Sequence, residues 1–235
     1  MNLRTARLGP LSARIVEPEA VSSAGPVVVL LHGFGAPGTD LVPLAGHLKV
    51  PPGTRFVFPE APLGLGAAFG HGRAWWMIDM VALQTAMAQG SFRDMAEQVP
   101  DGLAESRQML AELLDAVEKE LGATKLALGG FSQGSMLTTD YTLRSDRKIE
   151  ALVAWSGTVI ARAEWEKAAP GRKDLPVFMS HGRMDPVLPY SGAERLRDLL
   201  TKSGLQVGFT GFDGVHEIPL PALEGASQLL LKTLA

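Results

Sequence analysis

The 235-residue chain contains no cysteine, carries a formal net charge of −3 and is 46 % hydrophobic. Without cysteine it has no disulfide framework, thiolate metal site or cysteine nucleophile, and its charge gives no electrostatic reason to expect a nucleic-acid partner. Its length favours a single domain spanning residues 1–235. Residues 1–25 lack the apolar core of a signal peptide, and no apolar run is long enough to cross a bilayer. We therefore expect a cytoplasmic protein without stable membrane insertion.

Short apolar strands alternate with amphipathic helices along most of the chain. Strands are predicted at residues 26–32, 55–58, 125–131, 151–155, 175–179 and 206–210. Helices are predicted at residues 101–121, from 133, behind a capping box formed by Ser191 and Glu194, and from 221. This alternation predicts an α/β fold, the mostly parallel central sheet being flanked by helices.

One segment, residues 61–100, does not follow the alternation, and we call it the flap. Its large apolar side chains are Phe69, Trp75, Trp76, Met77, Met80, Met87, Phe92 and Met95. A segment this apolar is not expected to be disordered, and long loops inside compact domains are usually functional. We expect a small insertion near the active site that either packs on the core or forms the wall of an apolar substrate pocket. The same side chains are equally suited to face a second copy of the chain in a homodimer.

The sequence Gly130-Phe-Ser-Gln-Gly134 has the form G-x-S-x-G. Alone this motif is weak, and a serine that merely caps a helix is the alternative. Here Ser132 directly follows a predicted strand and directly precedes a predicted helix, which is the setting of a nucleophile elbow. Side chains at 130 and 134 would collide in so tight a turn, which explains both glycines. We therefore predict that Ser132 is a nucleophile.

A serine hydroxyl needs a base to become nucleophilic at neutral pH. The five candidates are His32, His47, His71, His181 and His216. His216 is preferred because it lies in the loop after the last predicted strand, which can bring it to the serine. His181 is the alternative base, although we expect it to bond the backbone of the neighbouring loop instead.

Asp185, in the loop after the predicted strand at 175–179, is the preferred acid, since a carboxylate there can fix the tautomer of the histidine. Asp213 and Glu217 are weaker alternatives. The chain order of Ser132, Asp185 and His216 is that of α/β-hydrolases and differs from the orders of the other serine-hydrolase folds.

Backbone amides are the expected donors to the oxyanion of a tetrahedral intermediate. Gln133 offers one at a helix N-terminus, where the helix dipole favours negative charge. Phe34, in the glycine-rich loop after the strand at 26–32, is predicted to offer the second, with His32 shaping that loop. The histidines lack metal-ligand spacing, so we expect neither a metal nor another cofactor.

Four segments resemble the phospholipase/carboxylesterase family of α/β-hydrolases, which includes small bacterial carboxylesterases and acyl-protein thioesterases. They are residues 31–35, 130–134, 181–186 and 214–217. The resemblance implies an α/β-hydrolase fold, the same triad and the same two oxyanion donors. It also places Trp76 at the position of the family's pocket tryptophan, whereas residues 64–75 differ from the eukaryotic thioesterases.

We thus expect a serine carboxylic ester hydrolase that takes a small-molecule ester. Val187 and Leu188, just after the acid, are candidates for the acyl pocket. Because no long amphipathic helix is evident in the flap, we expect a shallow, open site suited to short- and medium-chain acyl groups, without interfacial activation. An acyl thioesterase or a lysophospholipase using the same triad, or a hydrolase-fold protein that only binds, are the alternatives.

Overall fold

The computed structural model describes residues 1–19, 24–67, 70–89, 91 and 94–235, and within them ten strands and six α-helices are present. The strands are β1 (Asn2–Leu8), β2 (Leu11–Glu17), β3 (Gly25–Leu31), β4 (Arg55–Pro59), β5 (Leu63–Gly64), β6 (Arg73–Ala74), β7 (Ala123–Phe131), β8 (Ala151–Trp155), β9 (Pro176–Gly182) and β10 (Gln206–Phe212). The helices are α1 (Met80–Ala88), α2 (Leu103–Leu121), α3 (Gln133–Arg144), α4 (Arg162–Ala168), α5 (Tyr190–Lys202) and α6 (Leu220–Leu234). Two short 3₁₀ helices span Val42–Gly46 and Ala169–Arg172.

Eight strands form one sheet in the order β1-β2-β4-β3-β7-β8-β9-β10. The six strands from β4 to β10 in this order run parallel, whereas β2 pairs antiparallel with both β1 and β4. Apolar side chains fill a buried cluster on each face of the sheet, which is why β4 and β8 are buried along their whole length. The predicted α/β fold, with a mostly parallel central sheet flanked by helices, is confirmed.

The N-terminal hairpin of β1 and β2 was not predicted from the sequence. The sequence of β1 shows little apolar alternation. In β2, Leu11, Ala13 and Ile15 alternate with polar residues and are buried, a period-two signal that the sequence analysis did not use. The turn between them is marked by Gly9, whose φ of +57° favours glycine. A Gly-Pro pair directly before the alternation of β2 is therefore the signal that would have identified this hairpin.

Parallel pairing brings the carboxyl ends of the central strands to one edge of the sheet. Leu31 of β3 pairs with Gly130 of β7, and Phe131 pairs with Trp155 of β8. In the same way Gly182 at the end of β9 pairs with Phe212 of β10. The loops that carry the candidate site residues therefore all leave the sheet at this edge.

The flap packs on the core, which was the first of the two expectations for this segment. Trp75 and Trp76 are 1 % and 3 % exposed and belong to the main apolar cluster. The flap also contains the nine-residue helix α1, which the sequence analysis did not identify. Phe69, Phe92 and the side chain of Met87 lie outside the described residues. Among the helices that are described, none has the length and apolar character needed to cross a membrane.

The predicted capping box is wrong. Helix α5 begins at Tyr190, one residue before Ser191, and Pro189 occupies the N-cap position without a side-chain cap bond. The first turn closes instead through a backbone bond from Gly192 N to Pro189 O of 2.8 Å. Ser191 therefore lies inside the helix, where its hydroxyl cannot cap the free amides.

Candidate active site

Ser132 occupies a sharp turn between β7 and α3. Its φ of 53° and ψ of −117° are unusual for a residue with a side chain, and such conformations cost about 1–3 kcal/mol. The turn is held on both sides, because Ser132 N donates to Trp155 O at 3.0 Å and Ser132 O accepts from Met136 N at 3.1 Å. The residue thus has the strained strand-turn-helix setting expected of a nucleophile elbow.

The glycines around this turn are required by close backbone contacts. A Cβ at Gly134 would lie 2.1 Å from the Leu31 carbonyl oxygen, and one at Gly130 would lie 2.5 Å from the carbonyl carbon of Gly134. Both distances are far below any ordinary contact. The steric reason proposed from the sequence for the two glycines is confirmed.

Asp185 and His216 meet because the loops after β9 and β10 are bonded to each other. Met184 N donates to Gly214 O at 3.0 Å. The two loops pass so closely that a Cβ at Gly182 would lie 2.2 Å from Val215 O, which explains the glycine. This close passage brings His216 Nδ1 to 2.6 Å from Asp185 Oδ2. The structure therefore joins the predicted acid and base by a short hydrogen bond.

The Asp185 carboxylate is buried and accepts several hydrogen bonds. Its Oδ1 accepts from the backbone N–H groups of Val187 at 2.8 Å and Leu188 at 2.9 Å. Its Oδ2 lies 2.6 Å from His216 Nδ1 and 3.2 Å from His181 Nε2. Burial alone would raise the pKa of Asp185, but the hydrogen bonds from His181 and His216 outweigh it and hold the pKa well below its usual range. The carboxylate is therefore ionised at neutral pH.

An ionised carboxylate fixes the tautomer of His216. Because Asp185 only accepts hydrogen bonds, Nδ1 of His216 carries the proton between them, and Nε2 is left with its lone pair. The ring lies 4.7 Å from the Phe131 ring, next to Ser132. His216 and Ser132 line the same cavity. An imidazole held in this tautomer, in the same cavity as a serine hydroxyl, meets the requirements of a general base.

The alternative acids point elsewhere. The side chain of Asp213 is 90 % exposed and lies 3.4 Å from Arg183. Glu217 accepts a bond from the backbone N–H of Val215. Neither contact involves the His216 ring, so Asp185 remains the candidate acid on geometric grounds.

His32 shapes the loop after β3, as expected. Its Nε2 accepts a bond from Ala61 N at 3.1 Å, so the ring proton lies on Nδ1, which donates to Gly33 O at 2.8 Å. Burial lowers the pKa of His32, which agrees with this neutral form. The Trp75 indole N–H donates to His32 O at 2.9 Å and so binds the flap to the same loop.

The two proposed oxyanion donors belong to residues that line the cavity, Phe34 and Gln133. Gln133 is the first residue of α3, where backbone amides have no partner within the helix. The Phe34 loop is pinned by β6, since Gly35 N donates to Arg73 O at 2.9 Å and Arg73 N donates to Ala36 O at 3.1 Å. Two anchored segments thus line the cavity together with Ser132.

The Gln133 side chain has a role that sequence reasoning missed. Its Oε1 accepts from Trp75 N at 2.9 Å, and its Nε2 donates to Trp76 O at 2.8 Å. The partners are 57 and 58 positions away in the chain, so no local pattern signals them. The residue that is a candidate oxyanion donor through its backbone also binds the flap through its side chain.

The cavity above Ser132 has a volume of about 410 Å³. Trp76, Val187 and Leu188, the three residues predicted to bind substrate, all line it. The remaining lining residues are mostly apolar and come from the flap and the body of the domain: Phe34, Ile78, Met80, Gln84, Met95, Gln98, Pro100, Gln133, Met136 and Ile160. Flap residues therefore form part of the cavity wall, which was the second expectation for this segment. Within the described residues no group of three or more histidine and acidic side chains is arranged to hold a metal ion.

Known proteins share this sequence pattern over nearly the whole chain. The sequence model of the phospholipase/carboxylesterase family matches residues 12–234. Acyl-protein thioesterase 1 of Kluyveromyces lactis is 29 % identical over 235 residues, covering 96 % of this chain and 99 % of its own. Acyl-protein thioesterase 1 of Neurospora crassa is 26 % identical over 224 residues, covering 92 % of this chain and 89 % of its own.

Solved structures share the fold. The crystal structure of esterase PE8 superposes with a TM-score of 0.78 at 29 % identity, covering 95 % of this chain and 99 % of its own. A carboxylesterase from Mesorhizobium loti superposes with a TM-score of 0.74 at 17 % identity, covering 98 % of this chain and 99 % of its own. At this identity it shows likeness of fold alone. With the family match over residues 12–234, these findings establish that the chain belongs to the phospholipase/carboxylesterase family of α/β-hydrolases.

Proposed function

We propose that this family member is a carboxylesterase that cleaves short- and medium-chain acyl esters through Ser132, His216 and Asp185. The observation that carries the proposal is the 2.6 Å bond between His216 Nδ1 and Asp185 Oδ2, made by an imidazole that lines the same cavity as Ser132. A strained serine, an oriented base and an ionised acid around one apolar cavity are the groups that acyl transfer requires.

In the proposed reaction each of these groups has one role. The Ser132 hydroxyl gives its proton to His216 Nε2 as its oxygen attacks the ester carbonyl, while Asp185 stabilises the imidazolium that forms. The backbone N–H groups of Phe34 and Gln133 bind the oxyanion. His216 then returns the proton to the leaving alkoxide, and an acyl-serine remains. Water repeats the sequence: it loses a proton to His216 as its oxygen attacks the acyl group, and His216 returns that proton to the Ser132 oxygen as the acid is released.

The lining and the volume of the cavity favour an uncharged acyl group of limited length as its occupant. Its lining contains no Asp, Glu, Lys or Arg among the residues described, so an acidic or basic acyl group would find no ionic partner there. A volume of about 410 Å³ lies toward the small end of ligand pockets, which span roughly 300–1,000 Å³. We therefore expect butyryl and octanoyl esters to fit better than palmitoyl esters.

A thioesterase is the second candidate, because several relatives matched over most of their length are acyl-protein thioesterases. The same nucleophile and base serve an ester and a thioester, so the leaving group has to be tested directly. The segment at 64–75, which differs from the eukaryotic thioesterases, favours the esterase.

One screen tests the proposal. Acetyl, butyryl, octanoyl and palmitoyl chains are each presented as a p-nitrophenyl ester and as a thioester, to the wild type and to Ser132→Ala. We expect kcat/KM to peak at butyryl or octanoyl esters and to fall by about tenfold or more for palmitoyl. Rates that rise steadily through palmitoyl, or thioesters that react faster than the matching esters, would overturn the substrate assignment. Failure of a fluorophosphonate probe to label Ser132 would instead favour a protein that only binds.

A further inference from the structure

A second histidine touches the candidate acid. His181, near the end of β9, is fully buried, and its Nε2 lies 3.2 Å from Asp185 Oδ2 and 2.9 Å from the carbonyl oxygen of Leu188. Oδ2 is the same oxygen that accepts the bond from His216 Nδ1. Two imidazoles therefore share one carboxylate oxygen.

The partners of His181 determine its protonation state. The Leu188 carbonyl and the ionised carboxylate can only accept, so the ring proton lies on Nε2. Its Nδ1 is buried and has no hydrogen-bond partner among the described residues. A second proton there would bury an unpaired N–H on a charged ring, which is costly. His181 is thus a neutral donor, and its tautomer is opposite to that of His216.

The geometry points to His181 as a positioning residue of the reaction, acting through Asp185. Its Nε2–H, which bonds to Leu188 O, also lies close to Oδ2 and stabilises the negative charge of that oxygen, so the proton taken from Ser132 stays on the His216 imidazole. This inference rests on the proposed function, because it concerns the same triad.

Shaping the loop does not require the contact with Oδ2. The loop after β9 is already held by the bonds from Val187 N and Leu188 N to Asp185 Oδ1 and from Met184 N to Gly214 O. The bond from His181 to Leu188 O is a further anchor. The approach to Oδ2 adds little to the loop, but it acts on the atom that orients the base.

Two substitutions separate the roles. His181→Gln places an amide nitrogen near the position of Nε2 and keeps a neutral donor, whereas His181→Leu removes it. We expect His181→Leu to lower kcat for p-nitrophenyl butyrate by about 10- to 100-fold, the value of a hydrogen bond to a charged group, with KM changed by less than about twofold. His181→Gln should recover most of kcat. Wild-type kcat in a folded His181→Leu protein would overturn the inference.

A measurement on the wild type keeps the inference testable if His181→Leu does not fold. Nitrogen-15 NMR of the histidine side chains should show His181 protonated at Nε2 and unprotonated at Nδ1, and its Nε2–H signal should move when Asp185 is replaced by Asn. A ring protonated at Nδ1 alone would overturn the inference. This readout does not depend on turnover, so failure of the proposed function, seen as full activity in Ser132→Ala, is distinguished from failure of the role of His181.

Discussion

The side-chain amide of Gln133 is fixed to the backbone of Trp75, whose N–H donates to Gln133 Oε1 at 2.9 Å. The other end of the same amide donates to Trp76 O at 2.8 Å. Because Trp76 lines the cavity and Gln133 begins helix α3 next to Ser132, one buried side chain links the pocket wall to a proposed oxyanion donor. The position of the flap and the position of that donor are thereby coupled.

Replacing Gln133 with Met removes both bonds while keeping a side chain of similar size. The Trp75 N–H and Trp76 carbonyl are then buried without partners, so we expect the free energy of unfolding in urea to fall by about 2–5 kcal/mol. The matched control is Gln108→Met, since Gln108 is exposed and its side chain bonds, among the described residues, to Glu112 on its own helix. The free energy of unfolding of Gln108→Met should lie within about 0.5 kcal/mol of the wild-type value. Equal stabilities for the two variants would contradict the coupling.

How much of this could be predicted from the sequence depends on how local each signal is. The elbow at Ser132 was predictable because strand, tight turn and helix follow one another directly in the chain. Asp185 and His216 were predictable because both lie in loops after late strands of a parallel sheet, whose carboxyl ends meet.

The side-chain partners of Gln133 and His181 were not predictable in this way. Gln133 bonds to residues more than fifty positions away, and His181 meets Asp185 only through the path taken by the intervening loop. The capping box failed for a local reason, since Pro189 lets α5 begin one residue early.

The backbone strain at Ser132 predicts an unusual order of stability. Glycine adopts a positive φ without steric cost, whereas alanine keeps the strain of the φ of 53°. We expect Ser132→Gly to be more stable than Ser132→Ala by about 1 kcal/mol or more, although glycine is usually the more destabilising residue. Thermal unfolding of both inactive variants measures the difference. An alanine variant as stable as the glycine variant would show that the elbow is not strained.

The close contact at Gly134 predicts a severe effect of a single methyl group. Gly134→Ala places its Cβ 2.1 Å from the carbonyl oxygen of Leu31. We therefore expect the free energy of unfolding to fall by about 3 kcal/mol or more, or the protein not to fold. Gly171→Ala is the control, because nothing lies within 4 Å of a Cβ there and its φ is not positive. Folding yield and urea unfolding compare the two. A well-folded Gly134→Ala protein with wild-type stability would mean that the turn is looser than described.

The lowered pKa of Asp185 predicts a pH-dependent contribution to stability. A carboxyl group whose pKa is lower in the folded chain stabilises that chain above its unfolded pKa of about 3.9, and the contribution is lost as pH falls through the folded value. The difference in unfolding free energy between wild type and Asp185→Asn should therefore shrink as pH is lowered below about 4. Asp213→Asn, at a 90 % exposed carboxyl that approaches only the exposed Arg183, is the control and should change the unfolding free energy by no more than about 1 kcal/mol. A difference for Asp185→Asn that stays constant down to acid pH would contradict the ionised, bonded carboxylate.

The most direct test of the central claim is the turnover of p-nitrophenyl butyrate by wild type, Ser132→Ala and Ser191→Ala. Ser191 is exposed on α5 and away from the cap position, so its substitution should leave rate and stability unchanged. We expect Ser132→Ala to lose on the order of 10⁴–10⁶ in kcat. A Ser132→Ala protein that hydrolyses the ester at the wild-type rate would contradict the account.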